Sequence, residues 1–238
     1  MKKLFGTDGI RGEANSELTP ELAFSIGQAA AWYLGQGKGG TILIGRDPRL
    51  SGAMLEGALA SAIASVGLDV RLAGIITTPG LAWVTSHHPQ AIAGAMISAS
   101  HNPMEDNGLK FVNPQGIKLA DAQEREIEDI YHNRLADIPR PIGKGVGRIY
   151  RDESLVQGYC DYLVSTVEQP LNLRVLIDCA NGSASAIARQ VLERAGAIVD
   201  VIHADPDGIN INRCCGSTHP GTVATAVAQG KYDLGLAL

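Results

Sequence analysis

The chain has little aromatic content, 5% of its 238 residues, and charged residues make up only 19%. With 45% hydrophobic residues it is not a solvated polyelectrolyte but a globular chain long enough to bury a core. No apolar stretch approaches the ~20 residues of a membrane helix. No apolar h-region follows Met1-Lys2-Lys3, so neither a bilayer span nor a secretory leader is expected, and the location expected is cytoplasmic. Positive charge is not in excess either. A net charge of −5 disfavours a general nucleic-acid surface, yet it leaves room for local basic residues that hold a small anion. No two cysteines stand in C-x-x-C spacing. Cys160, Cys179, Cys214 and Cys215 are expected to be reduced thiols. His203 and His219 flank the vicinal pair, but the spacing fits no standard zinc pattern.

What the chain does have is glycine, 28 residues, alongside many Ala and Val. That combination suits tight strand-to-helix turns and close helix–sheet packing. Thr19-Pro20-Glu21 opens a helix with Leu22, Ile26, Ala29, Ala30 and Tyr33 in helical period. Two later stretches share one order. The first is strand 41–44, loop 46–52, helix 53–66, Gly67 and strand 68–72. The second is strand 174–177, loop 178–183, helix 185–194, Gly196 and strand 197–202. The order predicts a fold of class α/β: two tandem three-layer αβα domains with mixed, mainly parallel sheets. Asp121-Ala-Gln-Glu124 reads as a capping box opening a helix that carries Ile127, Ile130, Tyr131 and Leu135. Domain I is expected over 1–140, a Pro/Gly-rich linker over 141–153, and domain II over 154–238. The last apolar segment, Leu234–Leu238, reads as a strand, and the second domain is expected to be incomplete. An unpaired apolar strand edge there would favour self-association, so a homo-oligomer is among the expected partners.

Chemistry concentrates in three loops. Ser100, in Met96-Ile-Ser-Ala-Ser-His-Asn-Pro103, follows the buried strand 91–97. No G-x-S-x-G elbow surrounds it, so phosphoryl chemistry suits it better than acyl transfer. A phosphoserine needs cations, and His101, Lys110, Arg11, Arg46 and Arg49 are candidates. A plain Asn-Pro bend explains the same residues. Phe5–Gly12, read as a loop, offers three glycines and Arg11 to an anion, or is a flexible terminus. Arg46-Asp47-Pro-Arg49 suits phosphate at a helix start, and equally an ordinary capped turn with an Arg–Asp pair. Asp178-Cys-Ala-Asn-Gly182 suits ligand contact or a tight turn, and His87-His88-Pro89 reads as a surface turn.

Taken together, Phe5–Gly12, Gly45–Gly52, Ile97–Pro103 and Asn107–Lys110 resemble the α-D-phosphohexomutase family. Asp106-Asn-Gly-Leu-Lys110, and Asn210-Ile-Asn212 ahead of Cys215-Gly-Ser-Thr-His-Pro220, are most similar to its phosphoglucosamine mutase branch. The resemblance spans essentially the whole chain. It implies that Ser100 is phosphorylated and exchanges its phosphoryl group with a hexosamine or hexose phosphate through a bisphosphate. It further implies catalytic roles for Arg11, His101 and Lys110, and substrate or phosphate contacts from Thr7, Arg46, Arg49 and Asn102. Mg²⁺ would bind the phosphate of Ser100, with its other ligands expected beyond Leu238. The chain would then be the N-terminal portion of a four-domain enzyme and inactive alone. A phosphoglucomutase or phosphomannomutase, and a non-catalytic sugar-phosphate-binding protein, remain as alternatives.

Overall fold

A computed structural model describes residues 3–238. Among these residues the order of elements is strand β1 (Ile10–Glu13), helix α1 (Pro20–Gly35), β2 (Thr41–Arg46), α2 (Leu50–Ser65), β3 (Asp69–Ile75), α3 (Thr78–His87), β4 (Ala91–Ile97) and β5 (Asp106–Val112). Then follow α4 (Asp121–Asp129), β6 (Ile149–Arg151), α5 (Ser154–Ser165), β7 (Arg174–Asp178), α6 (Ala188–Arg194), β8 (Ile198–Ile202), α7 (Gly221–Ala228) and β9 (Leu234–Ala237).

The first sheet has the strand order β1-β5-β4-β2-β3-β6. Its pairs around β2 and β3 are parallel, while β5 runs antiparallel to β1 and β4. Side chains alternate across the sheet. Ile42 and Ile44 of β2 face the core under α1 and α2, and Leu43 faces the core under α3 and α5. Helices therefore cover both faces, which is the three-layer arrangement expected. The second sheet, β8-β7-β9, is all parallel. α6 packs beside β8, and α7 lies against β9 and β7. Tyr159 and Cys160 of α5 join Leu81 and Ile187 in one core, so α5 binds the two sheets' layers together.

Several elements differ from the sequence expectation. The last three residues of the 5–12 loop belong to strand β1, because Ile10–Glu13 finds a partner in β5. Helix α2 starts at Leu50 rather than Ala53, which places Ser51 and Gly52 in its first turn. α3 was not foreseen; Thr77 caps it by accepting from the Gly80 N–H at 3.1 Å. The capping box is displaced by one residue: Ala120 is the cap, and Gln123 Oε1 accepts from its N–H at 3.0 Å. The 185–194 helix is split into a 3₁₀ turn at Ser183–Ala186 and α6. Within 141–153, Ile149–Arg151 pairs with β3 as an edge strand of the first sheet.

Candidate active site

The chain leaves β2 through α2 and returns on β3, then leaves β3 through α3 and returns on β4, on the other side of β2. The strand order reverses between β2 and β4. Loops leaving the carboxyl ends of neighbouring strands diverge at such a point and open a crevice for ligands. Two of the three chemistry-bearing loops meet there. Asp47 N donates to Ile97 O at 3.0 Å, so the Arg46–Arg49 turn lies beside the start of the Ser100 loop.

Ser100 is exposed and left-handed, with φ 57°. That conformation is uncommon for a residue with a side chain and persists only where the surroundings impose it. Three sets of bonds do so. The Ser100 N–H donates to Ser98 Oγ at 3.1 Å. Asn102 N donates to Ala99 O at 3.2 Å, and Asn102 Nδ2 donates to Asp106 Oδ2 at 2.8 Å. Arg49 holds the rest. Its guanidinium donates from Nε to Asp47 Oδ2 at 2.9 Å, from Nη2 to Ser100 O at 2.9 Å and Asn102 O at 3.0 Å, and from Nη1 to Pro103 O. At 1% exposure it faces no solvent. The turn contains the buried Arg–Asp pair, and Arg49 shapes the serine loop from beneath. Arg46 Nε lies 3.4 Å from Glu56 Oε2 of α2.

The N-terminal loop reaches the site through strand register. Arg11 sits opposite Gly108, and Gly108 O accepts from Ser98 N at 3.0 Å. Arg11, Gly108 and Ser98 thus form one row across three strands, spanning about 10 Å at the usual strand spacing. Gly108 has backbone from both neighbours so close that a Cβ there would meet Ser98 O at 2.7 Å and Ile10 O at 3.0 Å. Asp8, which the motif reading passed over, links the two expected catalytic cations. It pairs with Arg11 and, at 2.6 Å, with Lys110 Nζ. Partial burial raises the Asp8 pKa, but the hydrogen bonds and charges of Lys110 and Arg11 outweigh it and hold the carboxyl below its ordinary value. Thr7 is exposed in the Gly6–Gly9 turn beside this pair, and His101 is exposed next to Ser100.

The resemblance implies a magnesium ion at the phosphate of Ser100. Asp8 is engaged by Arg11 and Lys110, and Asp106 by Asn102. Among the described residues the group with metal-ligand spacing is Asp178, His203 and Cys215, outside the Ser100 loop. The described residues therefore do not by themselves make a divalent-cation site at Ser100. The second group is a hydrogen-bond hub: Asp178 Oδ1 accepts from Ala180 N at 2.8 Å, and Oδ2 accepts from Gly216 N and lies against His203 Nδ1, each at 3.0 Å. It ties the ends of β7 and β8 to the Cys215 loop. Burial, followed by the Asp178 charge, pushes the Cys179 thiol up to about 11. All four cysteines are free thiols, as expected.

No helix among the described residues is long and apolar enough to cross a membrane. Residues 2–137 match the family described as phosphoglucomutase/phosphomannomutase, alpha/beta/alpha domain I. The phosphoglucosamine mutase of Desulforamulus reducens is 50% identical over 239 residues, covering 100% of this chain and 54% of that protein. The chain thus spans about half the length of the curated relatives it matches. A phosphoglucomutase/phosphomannomutase family protein from Burkholderia thailandensis superposes with a TM-score of 0.85 at 24% identity, covering 99% of this chain and 52% of the other. An Aspergillus fumigatus N-acetylphosphoglucosamine mutase, solved with GlcNAc-6P and magnesium, aligns at a TM-score of 0.52 and 16% identity over 92% of this chain and 44% of its own. With its serine loop at the switch point and a family match over more than half its length, the chain belongs to the phosphoglucomutase/phosphomannomutase family.

Proposed function

We propose that these residues form the phosphoserine half of a phosphoglucosamine mutase, which interconverts glucosamine 6-phosphate and glucosamine 1-phosphate. The observation that carries this reading is the exposed, conformationally forced Ser100 at the strand-order reversal, with Arg11 in the cross-strand row of Ser98 and Lys110 on β5 tied to it through Asp8. Whole-chain identity near 50% to phosphoglucosamine mutases supports the choice of sugar.

The proposed chemistry begins with phosphorylated Ser100. The P–Oγ bond breaks and a P–O bond forms to the free hydroxyl oxygen of the sugar monophosphate. The hydroxyl proton passes to a base, and Ser100 Oγ takes up a proton. The sugar bisphosphate then presents its other phosphate, and the same steps in reverse restore phosphoserine. Such transfer depends on position and charge rather than on covalent help from the protein. Arg11, Lys110 and His101 supply positive or proton-carrying groups at the transferred phosphate, and Asp8 fixes the first two relative to each other. Thr7 and the Gly6–Gly9 turn offer hydrogen-bond donors to the ligand's phosphate. Magnesium, when bound, would offset charge on the phosphoryl oxygens.

The test is Ser100→Ala in the enzyme at its relatives' full length. Interconversion of the two glucosamine phosphates falls to background while the circular dichroism spectrum is unchanged. Retained turnover would refute Ser100 as carrier. Faster turnover of glucose or mannose phosphates than of glucosamine phosphates would reassign the sugar.

A further inference from the structure

The Ser100 loop is held from two sides, and only one side belongs to its own sheet. Asn212 Nδ2, from the segment after β8, donates to Ser100 O at 3.0 Å and to Asn102 O at 2.9 Å. These are the same two carbonyls that accept from Arg49 Nη2. A carbonyl oxygen has two lone pairs, so each of these oxygens is filled once from beneath and once from the second sheet's side. Asn212 is itself fixed. It is left-handed at φ 58°, and its N–H donates to Ala180 O at 2.9 Å, in the turn leaving β7. Four residues earlier, Gly208 O accepts from Leu50 N at 2.9 Å, at the start of α2 and next to Arg49. The 208–212 segment therefore grips both the serine loop and the Arg46–Leu50 turn that supports it.

We infer that Asn212 is a positioning residue through which the second sheet sets the conformation of the Ser100 loop. The inference builds on the reading of Ser100 as the phosphoryl carrier. A shift of the second sheet's elements relative to the first would pull on Ser100 O directly through one side chain.

Two variants separate the amide donor from the backbone. Asn212→Gly keeps the left-handed conformation at no steric cost and removes the donor. Asn212→Asp keeps the shape and the tolerance of positive φ but only accepts. Amide hydrogen exchange in residues 98–104 of the 238-residue chain is the first readout. Two hydrogen bonds of ordinary net strength predict exchange about tenfold faster or more in both variants, with β7 and β8 amides unchanged. Wild-type exchange in either variant would overturn the clamp. The second readout is phosphoryl uptake by Ser100 from a hexose 1,6-bisphosphate in the enzyme at its relatives' full length, followed by intact mass, expected to slow in both variants. Uptake at the wild-type rate alongside faster exchange would show that the clamp does not position the serine for transfer. If the wild-type enzyme of that length takes up no phosphate while exchange rises in the variants, the carrier reading fails and the clamp on the loop stands.

Discussion

Two aspartates occupy corresponding places in the two sheets. Asp47 follows β2 and Asp178 ends β7. Each is buried, and each accepts from the N–H two residues on: Arg49 for Asp47 at 3.1 Å, Ala180 for Asp178 at 2.8 Å. The local turn chemistry is the same. The difference lies in the second carboxylate oxygen. On Asp47 it meets the buried Arg49 guanidinium, which carries the loop bonds outward to Ser100, Asn102 and Pro103. On Asp178 it meets Gly216 N and His203 and ties in the Cys215 loop. One turn becomes the foundation of a candidate phosphoryl site and the other a tie within the fold, and a single residue two positions downstream, Arg49 against Ala180, separates them.

Breaking the first member should cost most. Arg49→Ala leaves Asp47 charged and buried and unties Pro103 O. Removing one partner of a buried pair costs about 3–5 kcal/mol. Urea unfolding should show a drop of that size, and a loss below about 1 kcal/mol would mean that the serine loop does not depend on this pair. The second member should cost less. Asp178→Asn keeps an acceptor for Ala180 N but turns an amide N–H toward the Gly216 N–H. One unsatisfied buried donor costs about 1–3 kcal/mol. The Cys215 loop is held by that bond, so the buried Cys215 should also react faster with thiol reagents. Unchanged Cys215 labelling would separate the loop from the hub and weaken the parallel.

The same contrast explains what the sequence revealed. β2 and β4 were legible because both are continuous apolar runs, and α1 because Thr19-Pro20 marks its start. β5 was visible only as a motif. Asp106, Asn107 and Gly108 are poor strand formers, and they become strand because β1 pairs with them while β4 pairs with Leu109–Val112 farther along. α3 carries a Thr-Thr-Pro start much like that of α1, but Gly80, Thr85 and Ser86 blur its period. Ser100, Arg11 and Lys110 stood out by type and spacing. The burial of Arg49 did not, because its partners are carbonyls of a loop more than fifty residues away. The role of Asn212 is illegible for the same reason, at over one hundred residues.

Asp8 offers the mildest test, as an exposed counterpart to the two buried aspartates. Its side chain is 49% exposed, so solvent screens its pairs with Arg11 and Lys110, and their worth to stability is below about 1 kcal/mol. The sign is nevertheless defined. Partial burial lifts its pKa, the two cations more than offset that, and the folded value lies below the unfolded one. The contribution is therefore present above the ordinary aspartate value of about 4 and is lost as pH falls through the lower folded value. Asp8→Asn should lower the urea midpoint slightly at neutral pH, and the difference from wild type should shrink in acid and in high salt. A difference that stays constant from neutral pH into acid would show that Asp8 acts through shape or neutral hydrogen bonding rather than charge. It would then resemble Asp178, whose bonds to backbone N–H groups fix the fold, more than Asp47, whose charge is matched by an arginine.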